Sequence, residues 1–470
     1  MQDIKNEIAA SAATTTDSLA PSLASVAAAD LEKMRQQYEN LPYPTNSIDA
    51  HPRKEYNNLD NFFIHSLVTP YYLRHQKVVN TTDKVILDAG CGSGFKALML
   101  AEANPGAKIV GVDLSPESVK LARQRLAHHK IENFEFHAML LEDVQGLGMQ
   151  FDYINCDEVL YLLPDPLKGL NTLMSVLKPD GIIRTNLHSS LNRHNIYRAQ
   201  ALAKMMGMMD ENPTDMEVDI LRETMASLQD FVDLKVKAWN NSFATEGSEP
   251  QILMNHLLLG DRGFTVPEMF EMLQVTDAEF IGMTNWRHWE LMNLFKDANR
   301  IPTLWEFALP DLSAEEQLRI FELLHPVHRL LDFWCGKPQS SQQPKLVGAW
   351  SEEEWSQSTV YLHPVLQTND VKEALVHAIH HHQRFDFSRY IGLPTLTSVN
   401  IESLQGAALL PLWNGPQSID TLVKRYLQIC PVNPETLEPI NIAKSFQEIK
   451  KLLSKLETYF YVLLETHEST

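Results

Sequence analysis

Between Lys84 and Leu187, short apolar runs alternate with amphipathic stretches, and this alternation constrains the fold more than any other feature of the chain. "KVILDAG", "KIVGVDL", "FEFHAML", "FDYINCD" and "GIIRTNL" read as strands with continuous apolar character. Such runs suit parallel strands buried on both faces. Helical segments separate them. One begins at Ser115-Pro116, a capping residue followed by proline at the first helical position, and Val119, Leu121, Ala122 and Leu126 supply its apolar stripe. Strand alternating with helix predicts an α/β fold with an open, doubly wound, mostly parallel sheet.

The first strand runs into a glycine-rich turn, "VILDAGCGSGF", with Asp88, Ala89, Gly90, Gly92 and Gly94. A turn of this kind lets the backbone approach a ligand closely, and the next helix directs its free N–H groups there. A dinucleotide fingerprint would need a third glycine at position 95, where Phe95 stands. The next strand ends in Asp113, whose two carboxylate oxygens suit a pair of ribose hydroxyls. Further on, "FDYINCDEVLYLLPDPLKGLNTLMSVLKPDGII" reads as strand, helix, turn and strand.

Taken together, the DxGxGxG turn, the acid closing the second strand and the "LKPDG" turn resemble class I S-adenosylmethionine-dependent methyltransferases. That resemblance implies a Rossmann-like sheet and S-adenosyl-L-methionine as cofactor. It implies that Asp88, Ala89, Gly90, Gly92 and Gly94 surround the methionine and ribose, that Asp113 holds the ribose, and that Leu114 lies against the adenine. The family often places an acid after strand three near the adenine amine. Here "HAMLLEDV" puts Met139 and Leu140 there, so a backbone group is expected to make that contact. Cys156 and Asp157 are expected on the methionine side. "ENLPYPTN", "FIHSLVTPYYLRHQ" and "DRGFTVPEMFEML" are similar to a bacterial subgroup often fused to tetratricopeptide repeats, which this chain lacks. "LWNGPQSIDTLV" resembles the winged-helix-like C-terminal domain of bacterial protein lysine methyltransferases.

Composition narrows the substrate. The chain has 60 acidic and 40 basic residues, a net charge of −20, which gives no electrostatic reason to bind nucleic acid. The tetrad after strand four, Asn155-Cys156-Asp157-Glu158, lacks the prolines typical of amino methyltransferases acting on nucleobases or glutamine. Cys91, Cys156, Cys335 and Cys430 form no CxxC pair, and no apolar run is long enough for a membrane span, which fits a cytoplasmic location. Asp3, Lys5 and Glu7 stand where the apolar core of a secretory signal would begin. The His377, His380, His381 group reads as a solvated helix face, and no metal is expected. Trp286 and Trp289 read as the edge of a core.

The expected organisation is a disordered tail at 1–30 and a methyltransferase domain at 31–300 with a helical insertion at about 192–262. A helical extension (301–336), a linker (337–346) and a mainly helical accessory domain (347–470) follow. Candidate catalytic residues are Asp157 and Glu158 after strand four, Tyr161 and His188, the last as general base, while Tyr38, Tyr43 and Tyr71 are candidates to close over the cofactor. The expected partner is a protein or peptide methyl acceptor, with a homodimer allowed. A small-molecule O- or N-methyltransferase and a non-catalytic cofactor-binding regulator are the alternatives. On this division, truncation after Gly336 should leave cofactor affinity intact.

Overall fold

The computed structural model describes residues 32–39, 42–297, 300–339, 344–433 and 436–466. The tail expected at 1–30 and residues 340–343 of the expected linker lie outside these. Five parallel strands are built by the apolar runs: β1 (Val85–Ala89), β2 (Lys108–Asp113), β3 (Phe134–Ala138), β4 (Phe151–Cys156) and β5 (Leu177–Ser189). Three later strands join them: β6 (Gly263–Phe264), β7 (Glu279–Met283) and β8 (Leu330–Gly336). The order is β3-β2-β1-β4-β5-β8-β7, with β6 beside the end of β5. β8 runs antiparallel between β5 and β7.

Local chemistry sets the helix starts. Ser115 accepts a hydrogen bond from the Ser118 N–H and opens Pro116–His128, and Thr265 and Glu268 form a reciprocal capping box on Val266–Val275. The insertion is helical, as its periodicity predicts, and makes a small core of its own. Met208, Met209 and Met225 fill it against Val218, Leu221, Ile252 and Leu257. Trp289 is buried against Phe321 and His328, and Trp286 packs on Phe63 and Phe460, so both tryptophans are core residues.

Two boundaries differ from expectation. The extension at 301–336 does hold a helix, Ala314–Leu324, but its last seven residues are β8, an interior strand of the main sheet. The sheet therefore draws on residues well beyond 300. The C-terminal region also does not stand apart. It contains a three-stranded antiparallel sheet of β9 (Ser358–Leu362), β12 (Gln417–Ser418) and β13 (Val462–Thr466), a short β10–β11 pair (Phe385–Asp386 with Asn400–Ile401), and helices.

Its core is continuous with Phe62, Phe63, Val68, Tyr72, Phe95 and Met99 of the first hundred residues. Hydrogen bonds reinforce the junction. Asp60 accepts from the Gly392 and Leu393 N–H groups at 2.7 and 2.9 Å, and the Tyr72 hydroxyl accepts from the Leu464 N–H at 3.1 Å. Among the described residues no helix is long and apolar enough to cross a membrane.

Candidate active site

The strand order reverses between β1 and β4, and a crevice at the carboxyl ends of the strands is where open α/β sheets bind ligands. A cavity of ≈ 340 Å³ opens there, lined by Gly90, Gly92, Asp113, Leu114, Met139, Leu140, Asp157 and Glu158 among others. Its volume falls in the range of small-molecule sites. Every one of the lining residues named here except Glu158 is an expected cofactor position, and Glu158 belongs to the tetrad after strand four. Tyr38 and Tyr43 line the cavity too, whereas Tyr71 lies elsewhere, beside His75 and Asp180.

The turn is shaped by its own carboxylate. Asp113 Oδ2 accepts from the Gly92 N–H at 2.9 Å and Oδ1 from the Ser115 N–H at 2.9 Å. Burial raises its pKa, and these backbone donors oppose that. The segment around Tyr43 roofs the turn. The Ser93 N–H donates to the Tyr43 carbonyl at 3.0 Å, and Ser93 Oγ donates to the Pro44 carbonyl at 2.7 Å. Buried Arg125 donates to the Ser47, Asn46 and Ser93 carbonyls at 2.6, 2.7 and 3.0 Å, which ties roof, turn and helix together.

Four of the expected positions stand back from the cavity. Gly94, at φ +81°, is a packing residue: a Cβ there would lie 2.6 Å from the Ala122 Cα. Ala89 and Cys156 are fully buried in the sheet core, and burial pushes the Cys156 thiol up to about 12. Asp88 is buried beneath the turn. Its Oδ1 accepts from Asn155 at 2.8 Å, its Oδ2 has no protein partner, and burial pushes its carboxyl up to about 7. A buried carboxylate with one free oxygen is the feature a cationic amine would satisfy.

Asp157 anchors a buried network rather than a proton-transfer site. Arg184, on β5, donates to Asp157 Oδ1 at 3.2 Å, to Asn155 at 2.9 Å and to both oxygens of Asp332 on β8 at 2.7 and 3.1 Å. Asn186 donates to Asp157 at 2.6 Å, and Lys96 Nζ lies 2.9 Å from its second oxygen. Burial opposes ionisation, but Arg184 and Lys96 outweigh it and hold the Asp157 carboxyl well below the usual range.

Tyr161 and His188 are also displaced from their expected roles. Both are buried, their rings stack at 3.8 Å, and they stand behind Glu158. The Tyr161 hydroxyl donates to Glu158 at 2.6 Å. His188 Nδ1 lies 2.7 Å from Asp261 and Nε2 lies 2.9 Å from Arg329, so neither nitrogen is free to take a proton from an acceptor. Glu158 reaches the cavity wall from a backbone at φ +62°, with its N–H donated to Asn186 Oδ1 at 2.8 Å. Strain of this kind in a residue other than glycine concentrates at functional sites. Burial opposes its ionisation. The Arg329 guanidinium, which meets both of its oxygens, outweighs burial and holds its carboxyl far below the usual range.

Sequence reasoning missed Lys96, Arg184, Arg329, Asp261 and Asp332. Arg184 and Asp332 carried a signal, each a charge inside an otherwise apolar run, "GIIRTNL" and "LLDFWCG".

Residues 80–246 match the family model described as a methyltransferase domain. An uncharacterized protein from Synechococcus sp. is 27% identical over 281 residues, 59% of this chain and 64% of that protein. The ubiquinone biosynthesis O-methyltransferase of Actinobacillus pleuropneumoniae is 32% identical over 123 residues, 25% of this chain and 50% of that enzyme. The chain thus spans less than two thirds of the length of either curated relative. In fold it is similar to PKMT2 from Rickettsia typhi, with a TM-score of 0.55, 16% identity, and coverage of 88% of this chain and 76% of that one. A second structure of PKMT2, in complex with AdoHcy, gives a TM-score of 0.54 at 17% identity over 87% of this chain and 76% of that one. The matched segment, which holds the β1–β4 reversal and Asp113 at the end of β2, is a methyltransferase domain, and the fold around it is similar to that of PKMT2.

Proposed function

We propose that the chain transfers a methyl group from S-adenosylmethionine to an amine on a protein or peptide side chain. The observation that carries this reading is the β4 end of the cavity. It is walled by two ionised carboxylates, Asp157 and Glu158, while His188 is fully engaged and the Cys91 and Cys156 thiols are pushed up by burial. A hydroxyl acceptor commonly needs a base with a pKa near the working pH. Carboxyls held this far down are poor bases. An amine needs only to arrive unprotonated, and positive charge then develops on its nitrogen, which a fixed carboxylate stabilises.

When bound, the cofactor supplies an activated methyl group. The chain's residues divide the remaining work. Asp113 would hold the ribose hydroxyls, Leu114, Met139 and Leu140 would flank the adenine, and Asp88 would receive the amino group with its free oxygen. The roof at 42–47 excludes water, and positioning of this kind supplies about 7–11 kcal/mol. The resemblance of "LWNGPQSIDTLV" to bacterial protein lysine methyltransferases supports a protein acceptor. The relation to a ubiquinone biosynthesis O-methyltransferase supports the second reading, a small-molecule hydroxyl acceptor.

Labelled S-adenosylmethionine added with the purified chain to a bacterial lysate separates the two. Label in a protein band is expected, and Glu158→Gln should lower it about ten- to a hundredfold with cofactor affinity kept within a few-fold. Label confined to the small-molecule extract would overturn the reading. Asp113→Ala should weaken cofactor binding separately. It removes acceptors for two ribose hydroxyls, each charge-assisted bond worth about 1.5–3 kcal/mol. It also frees the Gly92 and Ser115 N–H groups that shape the turn. Unchanged affinity by titration calorimetry would contradict the assignment.

A further inference from the structure

The acceptor-facing carboxylate is joined to the helical insertion by a chain of polar contacts that the cofactor site does not require. Arg329, just before β8, meets both oxygens of Glu158, with Nη1 3.1 Å from Oε2 and Nη2 against Oε1. The same Nη1 lies 2.9 Å from His188 Nε2. A guanidinium can only donate, so Nε2 accepts, and the imidazole proton sits on Nδ1 toward Asp261 at 2.7 Å. Asp261 has a fully buried side chain and takes further bonds from Arg193 at 3.0 Å and from Gln200, on the insertion helix His194–Met205, at 2.8 Å. With the Tyr197 hydroxyl at 3.5 Å, its acceptor role is fixed by four donors.

We propose that Arg329 is a positioning residue that holds Glu158 anionic and turned to the cavity, and that the Asp261–His188 pair holds Arg329 in place. The inference rests on the reading of Glu158 as the group that meets the amine. Four observations support it. Glu158 keeps a left-handed backbone that only its surroundings can impose. His188 is buried with both nitrogens used, which suits a spacer and not a base. Arg329 is absent from the cavity wall, so its effect must pass through Glu158. The contributing residues come from four segments, the ends of β4 and β5, the approach to β8 and the insertion.

The charged and titratable groups facing Glu158 are Arg329, His188, Tyr161, Asp157, Tyr38 and Tyr43. Arg329 is the cation that touches both oxygens. Removing it leaves Glu158 beside Asp157 with burial unopposed by a guanidinium, and both effects favour the protonated form.

The test uses the full chain with Arg329→Met, Arg329→Lys and His188→Phe. First, cofactor affinity by titration should stay within about twofold of the parent in all three. Second, the acid limb of methyl transfer should rise by one pH unit or more in Arg329→Met, move in the same direction in His188→Phe, and return toward the parent in Arg329→Lys. Third, with 13C-glutamate labelling and the Glu158 resonance assigned by its loss in Glu158→Gln, that resonance should be flat between pH 5 and 8 in the parent and titrate within this range in Arg329→Met.

The third measurement needs no substrate, so it stands even if lysate labelling overturns the protein-acceptor reading. A flat Glu158 resonance in Arg329→Met, or an Arg329→Met enzyme with the parent's pH profile, would overturn the proposal. A large loss of cofactor affinity in that variant would do the same, since it would place Arg329 in the cofactor site.

Discussion

A Gly92→Val chain is expected to show no measurable S-adenosylmethionine binding by calorimetry, a loss of at least about a hundredfold. Gly92 has φ +49°, and a Cβ on it would lie 2.1 Å from the Tyr43 carbonyl oxygen, far inside van der Waals contact. The sequence alone suggests that the added side chain would collide with the ligand. The structure gives a different cause, because the collision is with the roof. A valine would drive the Tyr43–Ser47 segment away from the turn and break the Ser93 contacts to Tyr43 and Pro44. It would also impose a left-handed backbone on a β-branched residue, at about 1–2 kcal/mol before any clash is counted. Retained affinity would mean that the roof plays no part in the cofactor site.

Truncation after Gly336 is expected to give an aggregated or molten chain rather than an active cofactor-binding core. Phe62, Phe63 and Tyr72 are each 0% exposed in the whole chain and belong to one core with residues from Val347 to Leu464. Fully burying a large apolar side chain stabilises by about 1.5–3 kcal/mol, so uncovering these three together with Val68 and their neighbours exceeds the margin of most domains. The same segment carries His65, whose Nε2 meets Arg184 at 3.0 Å, so the loss reaches the network under the cavity. Near-ultraviolet circular dichroism and cofactor titration on the truncated chain decide the matter. A soluble, cooperatively folding product with the parent's affinity would show that the two regions are separable after all.

The local half of this protein was legible in its sequence. Strands buried on both faces must be apolar along most of their length, so β1, β2 and β4 could be read as runs. The cofactor turn was legible for the same reason. Gly90 and Gly92 each need a positive φ that the chain can specify only through residue type, and Asp113 reaches the turn from the end of the next strand. Helix starts at Ser115 and Thr265 depend on partners three residues away.

The other half depends on tertiary structure. Glu158 meets Arg329 across 171 residues, Arg184 meets Asp332 across 148, and His188 meets Asp261 across 73. These pairs exist because β8 inserts antiparallel beside β5 and because the insertion returns to the end of that strand at β6. Sequence spacing carries no record of either event. It identified His188 as a base from its intrinsic pKa, but only packing could show its two nitrogens engaged and its ring stacked behind Glu158. The polar linker composition likewise suggested two separable parts. The apolar faces that join them lie on residues 62–72 and on 347–464, each unremarkable alone, and burial against one another makes them a single core. The sequence determined the turn and strand ends that line the cavity, since these are set within a strand and its turn. Which charges stand behind the cavity wall was decided by strand order and by the closing of loops more than seventy residues long.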